Sequence, residues 1–484
     1  MGNPLHFPLF PFPRSCGRAA NIGQLTPRCM YCALLTVSGG LSSPCSRSFR
    51  RAWMRLPRGR NRGAEMNSLH DSTSVRSVPD SARRGPTWND YCPPPGHWPM
   101  PRLSVTKDGR TRLAALDQFT VKLHSRCNLA CDYCYVYELR DTSWREQPRI
   151  MPGPIREKVA DRIAEHIRRH GLERIRVILH GGEPLLAGAA VIDEFAASVR
   201  RSARAAGAVA ELAVQTNGTL LSEAVLKVLH RHDVHVGISL DGAAETHDRH
   251  RHRRGNGGPV RGSHFEVSAA LERLGSPRHR RLFGGLLCTV DPAAPPRQTY
   301  DALAAHRPPA VDFQLPHATW DFPPAGADGS RAPYGDWLCE VFDHWTDTGR
   351  AVPVRLFESA LTLLRHGSGS SAEILGLVPA AVAVIETDGS LVWAESLNAV
   401  ADRAAHTGAN VFSHSFDDLL ALPRAPETGI GTLCSSCRSC AHVDICGGGL
   451  RTHRHSARRG FMNPSVYCLD LTRLIRHIRR RTGH

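Results

Sequence analysis

The stretch RCNLACDYC, residues 126–134, places Cys127, Cys131 and Cys134 in a C-x3-C-x2-C pattern within nine residues. Three thiolates on one tight loop can hold three corners of a [4Fe–4S] cluster, which leaves the fourth iron without a protein ligand. An open metal position suits catalysis, whereas structural zinc prefers four protein ligands, and no fourth ligand is obvious near by. The motif therefore favours a catalytic iron–sulfur site, with zinc or chance as the alternative.

Short strand candidates and amphipathic helices alternate on the C-terminal side of this motif. Behind Pro154, Ile155, Val159 and Ile163 recur every four residues and Gly171 follows, which predicts a helix with proline in its first turn. Six strands are predicted, at Val121–Leu123, Arg174–Leu179, Leu212–Gln215, Val234–Leu240, Leu286–Val290 and Val311–Leu315. Strands that alternate with helices imply parallel units wound in one direction. We therefore predict an α/β fold in which residues 115–320 form a partial (β/α)6 TIM-like barrel.

Polar motifs follow the carboxyl ends of the predicted strands, where ligand sites of such barrels collect. Gly181-Gly182-Glu183-Pro184 follows the second strand, Thr216-Asn217-Gly218 follows the third, and Ser239-Leu240-Asp241-Gly242 ends the fourth. Glycine allows a close approach of the backbone, and the Glu183 carboxylate can accept a hydrogen bond from an ammonium group. A GGEP sequence on its own would indicate only a turn.

Taken together, the cysteine motif with Tyr133 before its last cysteine and the ordered motifs behind it resemble the radical S-adenosylmethionine (SAM) superfamily over about residues 117–320. The resemblance implies a [4Fe–4S] cluster whose open iron chelates SAM. It also implies cleavage of SAM to a 5′-deoxyadenosyl radical that abstracts a hydrogen atom, with the cofactor carrying the chemistry. The implied SAM-binding residues are Tyr133, Gly181, Gly182, Glu183, Thr216, Asn217, Ser239 and Asp241.

A second cysteine group lies near the C-terminus, in the pattern C-x2-C-x2-C-x5-C-x21-C from Cys434 to Cys468. Taken by itself this pattern would indicate a zinc ribbon. Behind a radical SAM core it resembles the SPASM-type domain, which holds auxiliary iron–sulfur clusters, over residues 426–484. The resemblance implies Cys437, Cys440, Cys446 and Cys468 as ligands, with Cys434 spare or competing. Residues 376–400 contain no cysteine, so we expect one auxiliary cluster, a [4Fe–4S] cluster, and treat residues 321–425 as a bridging region.

Several longer stretches resemble one subgroup, the FxsB-type radical SAM/SPASM maturases. They are residues 122–131 (KLHSRCNLAC), 239–242 (SLDG) with His247-Asp248, 315–321 (LPHATWD), 446–449 (CGGG) and 463–468 (NPSVYC). The resemblance implies a small ribosomally made precursor peptide as substrate, a carbon–carbon crosslink (cyclophane) as product, and a reductant such as a flavodoxin or a ferredoxin. Within enzymes, a thioether-forming cyclase or a sulfatase-type serine or cysteine oxidase is the alternative.

Crosslinking to an aromatic ring requires that one electron and one proton leave after the new bond forms. A carboxylate or imidazole can take the proton. Asp312, His317 and Asp321 lie near the last predicted strand and are candidates for that base, although such residues in loops are usually solvated. The basic run HDRHRHRR, residues 247–254, is interpreted as a solvated loop.

Charge and composition limit which classes of protein remain possible for this chain. The chain has 484 residues, 41% hydrophobic and 22% charged, and carries no apolar run long enough to span a membrane. Residues 1–100 hold 13 arginines, no lysine and four acidic residues, a net charge of +9, so the other 384 residues carry only +7 of the total of +16. We expect residues 1–110 to be a disordered basic extension, with a true start that lies later. Clustered thiols favour a reducing cytosol, and a basic zinc protein that binds nucleic acid is the non-enzyme alternative.

Overall fold

A computed structural model describes residues 103–105, 110–255, 261–368, 370, 372–378, 382–422 and 428–483. Most of the predicted extension, residues 1–110, lies outside the described residues. Its last part is ordered, because β1 (Leu103–Val105) pairs antiparallel with β2 (Thr111–Leu113). Regular structure therefore begins a few residues earlier than the sequence predicts.

The centre of the fold is a nine-stranded sheet that contains all six predicted strands. These are β3 (Gln118–His124), β5 (Arg174–Gly181), β6 (Val209–Thr216), β7 (Val234–Ser239), β9 (Phe283–Thr289) and β10 (Val311–Gln314). They pair in parallel and in chain order, so each new strand adds to the same edge of the sheet. This is the predicted singly wound α/β architecture, and it brings the carboxyl ends of all six strands to one face.

Helices connect the strands and cover the sheet. They are α1 (Gly153–His170), α2 (Ala189–Ala205), α3 (Glu223–Arg231), α4 (Ala244–His250), α5 (His264–Gly275), α6 (Pro296–Ala304), α7 (Pro333–Asp347), α8 (Arg355–His366), α9 (Phe416–Ala421), α10 (Ser435–Arg438), α11 (Val443–Cys446) and α12 (Cys468–Thr482). Helix α1 confirms the apolar four-residue pattern, since Ile155, Val159 and Ile163 are buried and Gly171 ends the helix in the left-handed region at φ 57°. None of the described helices combines the length and the apolar composition that a bilayer crossing requires.

The bridging region contributes strands to the same sheet. The strands β11 (Val382–Ile385), β12 (Ser390–Val392) and β13 (His406–Asn410) continue it beyond β3, β11 in parallel and the next two antiparallel. Lys122 on β3 bonds the carboxylate of Glu386 at 2.6 Å and that of Glu395, and all three side chains are buried. Burial alone would lower the pKa of Lys122, but the two carboxylates raise it above its usual value. The buried ion pairs fix this hairpin against the core.

The C-terminal cysteine-rich segment is held to the rest of the chain by α12. This helix packs on α7, and the backbones approach so closely that a Cβ on Gly335 would lie 2.6 Å from the Asp470 carbonyl oxygen. The Asp470 carboxylate accepts a hydrogen bond from the Gly335 amide at 2.9 Å. Helix α12 is basic and amphipathic, and its apolar face, including Leu471 and Leu474, is buried.

Candidate functional site

The first cysteine group lies in the loop between β3 and α1, at the carboxyl edge of the sheet. Its middle part forms the short strand β4 (Leu129–Cys131), which pairs antiparallel with β8 (Arg251–Arg253). Burial raises the pKa of the Cys127 thiol to about 12 and that of Cys131 to about 11, and it also raises the pKa of Cys134. Thiols in such surroundings remain protonated until a metal displaces the proton.

Nitrogen donors lie against two of these sulfur atoms. The Leu129 amide donates to the Cys127 sulfur at 3.4 Å and the Asn217 side-chain amide approaches it at 3.8 Å, while Arg251 Nη1 lies 3.9 Å from the Cys131 sulfur. Three thiols on one loop, surrounded by hydrogen-bond donors and a buried cation, form a donor set that fits an iron–sulfur cluster with one open iron. The residues present therefore fit the cofactor that the sequence implies.

Gly181 and Gly182 pack against the backbone of the cysteine loop. The Gly182 amide donates to the His124 carbonyl at 3.0 Å, and the next amide donates to the Arg126 carbonyl at the same distance. A Cβ on Gly182 would lie 2.1 Å from the Tyr137 hydroxyl and 2.5 Å from the Arg126 carbonyl carbon. Glycine is required here because the end of β5 supports the loop that carries the cysteines.

Glu183 joins the ends of β5 and β6. Its fully buried carboxylate accepts hydrogen bonds from the Leu185 amide (3.0 Å), the Thr216 hydroxyl (2.6 Å) and the Asn217 amide (2.8 Å). Burial raises the pKa of Glu183 to about 6, and the three donors oppose that shift. Asn217 in turn donates to Asn128 at 2.9 Å, so these residues form one network with the cysteine loop.

Asp241 lies at the end of β7 in a second buried network. Its carboxylate accepts from the Tyr133 hydroxyl, from Arg251 Nε at 2.8 Å and from the Thr289 amide at 3.0 Å. Burial alone would raise the pKa of Asp241, but the Arg251 guanidinium outweighs burial and the pKa lies below its usual value. Ser239, two residues earlier, accepts from the Gln215 side chain at 3.0 Å. The structure thus brings together Tyr133, Asp241 and the cysteine loop.

The interpretation of residues 247–254 as a solvated loop is wrong. His247 is completely buried on α4, where its Nε2 lies 2.9 Å from the Ser263 hydroxyl, and Arg251 is buried on β8. The run folds inward because β8 pairs with β4, and this pairing places the Arg251 guanidinium beside the Cys131 sulfur. Arg251 is therefore a site residue that sequence reasoning missed, since four arginines in this run gave no reason to single it out.

A cavity of about 560 Å³ lies between the inward faces of the parallel strands and the C-terminal segment. Aromatic and imidazole side chains line much of it, namely Tyr135, His180, Phe313, His317, Trp393 and His453. The Tyr135 hydroxyl donates to the Glu395 carboxylate at 3.3 Å, and the His180 Nδ1 lies 3.8 Å from the same carboxylate. Sequence reasoning missed Glu395 and Tyr135; the position of Tyr135 directly after Cys134 was the one signal available.

The three candidate bases occupy different surroundings. The His317 ring contacts the Tyr135 ring at 4.3 Å between centroids, its buried Nδ1 has no hydrogen-bond partner among the described residues, and burial lowers its pKa to about 4. Asp312 also lines the cavity but is paired with the Arg355 guanidinium. Asp321 is exposed and accepts from the Ala457 amide at 2.8 Å, away from the residues that line the cavity. Of the three, His317 is the group at the cavity with a free nitrogen.

A wider groove of about 920 Å³ adjoins the cavity and shares His317 with it. Its walls include Tyr133 from the cysteine loop, Thr289 and Asp291 after β9, and Phe322 beyond β10. The Arg140 guanidinium stacks 3.4 Å above the Phe322 ring centroid. The groove therefore runs along the carboxyl edge of the sheet beside the first cysteine group.

The second cysteine group lies in the C-terminal segment, which contributes Gly447, Gly449 and Arg454 to the lining of the cavity. Cys437, Cys440, Cys446 and Cys468 come from α10, the following turn, α11 and the start of α12, and Cys434 precedes α10. Burial raises the pKa of Cys437 to about 12 and that of Cys446 to about 11, and neighbouring thiols add to both shifts. Such mutual influence requires that the thiols lie close together. Five thiols that influence one another's pKa are a donor set that suits a four-thiolate iron–sulfur cluster with one thiol to spare.

Comparisons with known proteins show which proteins this chain, and its core in particular, is similar to. Residues 121–281 match the family model of the radical SAM superfamily. The chain is 26% identical over 376 residues to the serine-type anaerobic sulfatase-maturating enzyme of Klebsiella aerogenes, which covers 74% of this chain and 87% of that protein. It is 24% identical over 358 residues to the cysteine-type enzyme of Clostridium perfringens, covering 71% and 91% respectively.

Among solved structures, native anSMEcpe with bound AdoMet matches with a TM-score of 0.63 and 22% identity, covering 75% of this chain and 97% of that chain. The same protein with bound AdoMet and Cp18Cys peptide gives 0.61 and 21%, with the same coverage. Residues 121–281 are thus similar to the radical SAM superfamily, and the fold is similar to that of anSMEcpe. The chain's relatives include the anaerobic sulfatase-maturating enzymes.

Proposed function

We propose that the protein is a radical SAM maturase of a small ribosomally made precursor peptide, of the FxsB type, that forms a carbon–carbon crosslink (cyclophane). The observation that carries the proposal is one cavity whose lining includes Tyr135, the residue after Cys134, and Gly447 and Gly449, which follow Cys446. A peptide side chain in that cavity would lie between segments that adjoin the two cysteine groups. Cys127, Cys131 and Cys134 hold the [4Fe–4S] cluster, which together with SAM supplies the 5′-deoxyadenosyl radical when both are bound.

The residues at the strand ends position SAM. Glu183 accepts from the SAM ammonium, because one of its oxygens bonds only the Asn217 amide and has a lone pair left. Gly181 and Gly182 keep the loop in place, and Thr216 and Asn217 fix the Glu183 carboxylate. Ser239, Asp241 and Tyr133 form the neighbouring wall, which Arg251 holds rigid.

The lining of the cavity suits an aromatic side chain of a peptide. Tyr135, His317 and Trp393 offer ring faces and edges, and offset or edge-to-face contacts between rings are favourable. The adjoining groove has space for the flanking backbone. His317 takes the proton that the substrate ring loses, because its Nδ1 is free and a pKa of about 4 keeps it unprotonated at neutral pH.

Cys437, Cys440, Cys446 and Cys468 hold one auxiliary [4Fe–4S] cluster that accepts the electron from the same step. A flavodoxin or a ferredoxin supplies electrons to the first cluster, and the protein works in the cytoplasm. Residues 115–320 form the radical SAM core and residues 426–484 the SPASM-like domain. Iron analysis after anaerobic reconstitution tests the cluster count, with about eight irons expected for two clusters and about four irons with zinc against the proposal.

The second candidate is oxidation of a serine or cysteine side chain, as in sulfatase maturation. The relatives favour it, since alignments to anaerobic sulfatase-maturating enzymes of both types extend over more than 70% of this chain. In that case the adenosyl radical would take a hydrogen atom from Cβ, Glu395 or His317 would accept the proton of the side-chain hydroxyl or thiol, and the auxiliary cluster would accept the remaining electron.

Co-expression with a candidate precursor peptide, a short sequence with an aromatic-rich C-terminus and a serine, separates the candidates. Crosslinking and serine oxidation both remove two hydrogen atoms, so the product is treated with a hydrazide, which labels only an aldehyde. For the proposed crosslink we expect a peptide that has lost two hydrogen atoms and that the hydrazide does not label. Its mass spectrum should contain no fragment ions from backbone cleavage between the joined residues. A labelled product assigns the second candidate, and an unmodified peptide contradicts both.

A further inference from the structure

Arg454 is a buried arginine without a counter-ion. It ends a short 3-10 helix, Arg451–Arg454, and its side chain is only 5% exposed. Its Nε and Nη1 atoms have no hydrogen-bond partner, and no carboxylate pairs with it, within the part of the chain that the structure describes. Leaving a buried cation unpaired costs several kcal/mol, so a partner of opposite charge is expected beside it.

The groups beside Arg454 that favour its charge are thiols. Burial is the main cause that lowers the pKa of Arg454, and the neighbouring Arg451 lowers it further. The thiols of Cys437, Cys434 and Cys446, all of the second cysteine group, act in the opposite direction and raise the pKa of Arg454. The charged groups that favour the Arg454 cation are therefore thiols of this group, and no carboxylate is among them.

The turn after Cys446 places the guanidinium at this group. Gly447, Gly448 and Gly449 all have positive φ, and a Cβ on Gly448 would lie 2.7 Å from Leu433 and 3.7 Å from Arg454 Nη1. A Cβ at Gly448 would clash with the Leu433 side chain, while its distance to the guanidinium is an ordinary van der Waals contact. The run of glycines thus allows the guanidinium to lie directly against the turn that carries Cys446.

We propose that Arg454 is the buried counter-cation of the auxiliary cluster, donates hydrogen bonds to its sulfur atoms and raises its reduction potential. This inference rests on the proposed auxiliary cluster. A cluster held by four thiolates is anionic and gains one more negative charge on reduction, so a nearby cation favours the reduced form. The electron comes from the crosslinked substrate radical, which is oxidised, and the accompanying proton goes to His317.

The test is a redox titration of the reconstituted holoenzyme, followed by electron paramagnetic resonance of the auxiliary cluster. We expect R454Q to lower the equilibrium constant for reduction at least tenfold, which corresponds to about 59 mV for a one-electron couple. R454K keeps the charge but loses the forked donors, so its potential should fall less. R481Q removes a half-exposed arginine that pairs with Asp343 and Asp347, and it should leave the potential unchanged.

The outcomes separate this inference from the proposed function. An iron content of only about four per chain in reconstituted wild-type protein would exclude the auxiliary cluster, and with it the proposed role of Arg454. A full iron content in R454Q with an unchanged potential overturns the role of Arg454 alone. Should R454Q fail to take up the second cluster, an unchanged potential in R454K overturns the role as well.

Discussion

Arg251 is the side chain on which two parts of the candidate site depend. It forms two hydrogen bonds with the Asp241 carboxylate, lies 3.9 Å from the Cys131 sulfur and stacks over the Tyr133 ring at 5.4 Å. Removal of one partner of a buried ion pair leaves the other charge uncompensated. The cysteine loop and the end of β7 are therefore coupled through one guanidinium.

We expect R251Q to lower the free energy of unfolding by about 3–5 kcal/mol and to weaken both iron uptake and SAM binding. Chemical unfolding, iron analysis and equilibrium dialysis with SAM measure the three effects. Arg253, on the same strand, pairs with Glu266 near the surface, so R253Q is the matched control and should cost less than about 1 kcal/mol. Normal iron content and SAM affinity in R251Q would contradict the role.

Gly182 is the second position at which we expect a small substitution, the addition of a Cβ, to disrupt the candidate site. We expect G182A to lose most of its iron, because the added Cβ has no space beside Tyr137 and Arg126. The double variant G182A/Y137F should not recover iron, since the clash with the Arg126 backbone remains. G255A is the control, because no atom lies within 4 Å of a Cβ at that exposed position. Full iron content in G182A would show that the loop tolerates displacement.

Cys127, Glu183 and Asp241 could be predicted from the sequence because each belongs to a short motif with fixed spacing. Arg251 and Glu395 could not be. Arg251 reaches the site only through the pairing of β4 with β8, and Glu395 contacts Tyr135 across 260 residues of chain. Contacts of that kind arise from tertiary packing and leave no local pattern.

At the scale of elements, helix α1 carries a buried histidine with a pH-dependent contribution to stability. His166 Nε2 accepts from the Leu116 amide at 3.0 Å, and burial lowers the pKa of His166 to about 4 despite the Asp417 carboxylate. Unfolding restores an ordinary pKa near 6.5, so the unfolded chain binds a proton that the folded chain does not between these values. Stability is therefore lost as the pH falls through this range, by up to roughly 3 kcal/mol.

We expect H166Q to make the free energy of unfolding less dependent on pH between about 7.5 and 5.5. Urea unfolding at several pH values measures that slope. H366Q changes an exposed histidine at the end of α8 and should keep the wild-type slope. Parallel slopes for wild type and H166Q would show that His166 does not titrate differently in the two states.

The six parallel strands could be predicted because β-branched runs alternate with periodic helices. The strands β4 and β8 were missed, since three residues are too few to show a period. Residues 321–425 were treated as a bridging region, so the place of the β11–β12 hairpin in the core sheet was not predicted. That place depends on Lys122 and Glu386, which are 264 residues apart.

At the scale of the whole molecule, the core sheet, the bridging strands and the C-terminal segment enclose one cavity. The sequence divides them into separate regions because their compositions differ. In the structure, β11 continues the core sheet and α12 packs on α7. The proposed domains are therefore packed directly against one another. Any change of the C-terminal cysteines should therefore affect the cavity as well.

We expect C437A/C446A to keep the first cluster, to retain reductive cleavage of SAM and to lose crosslinked peptide, because the proposed electron acceptor is absent. Product analysis by mass spectrometry and deoxyadenosine release measure the two activities on one sample. C288A changes a buried cysteine outside both groups and serves as the control. Undiminished crosslinking in C437A/C446A would exclude the auxiliary site from the reaction.

The most direct test of the central claim is the release of 5′-deoxyadenosine from SAM by anaerobically reconstituted protein and dithionite. We predict release by wild type, and no release above background by the triple variant C127A/C131A/C134A, whose C-terminal cysteine group is intact. Absence of deoxyadenosine with fully reconstituted wild type, or its formation by the triple variant, would contradict the account.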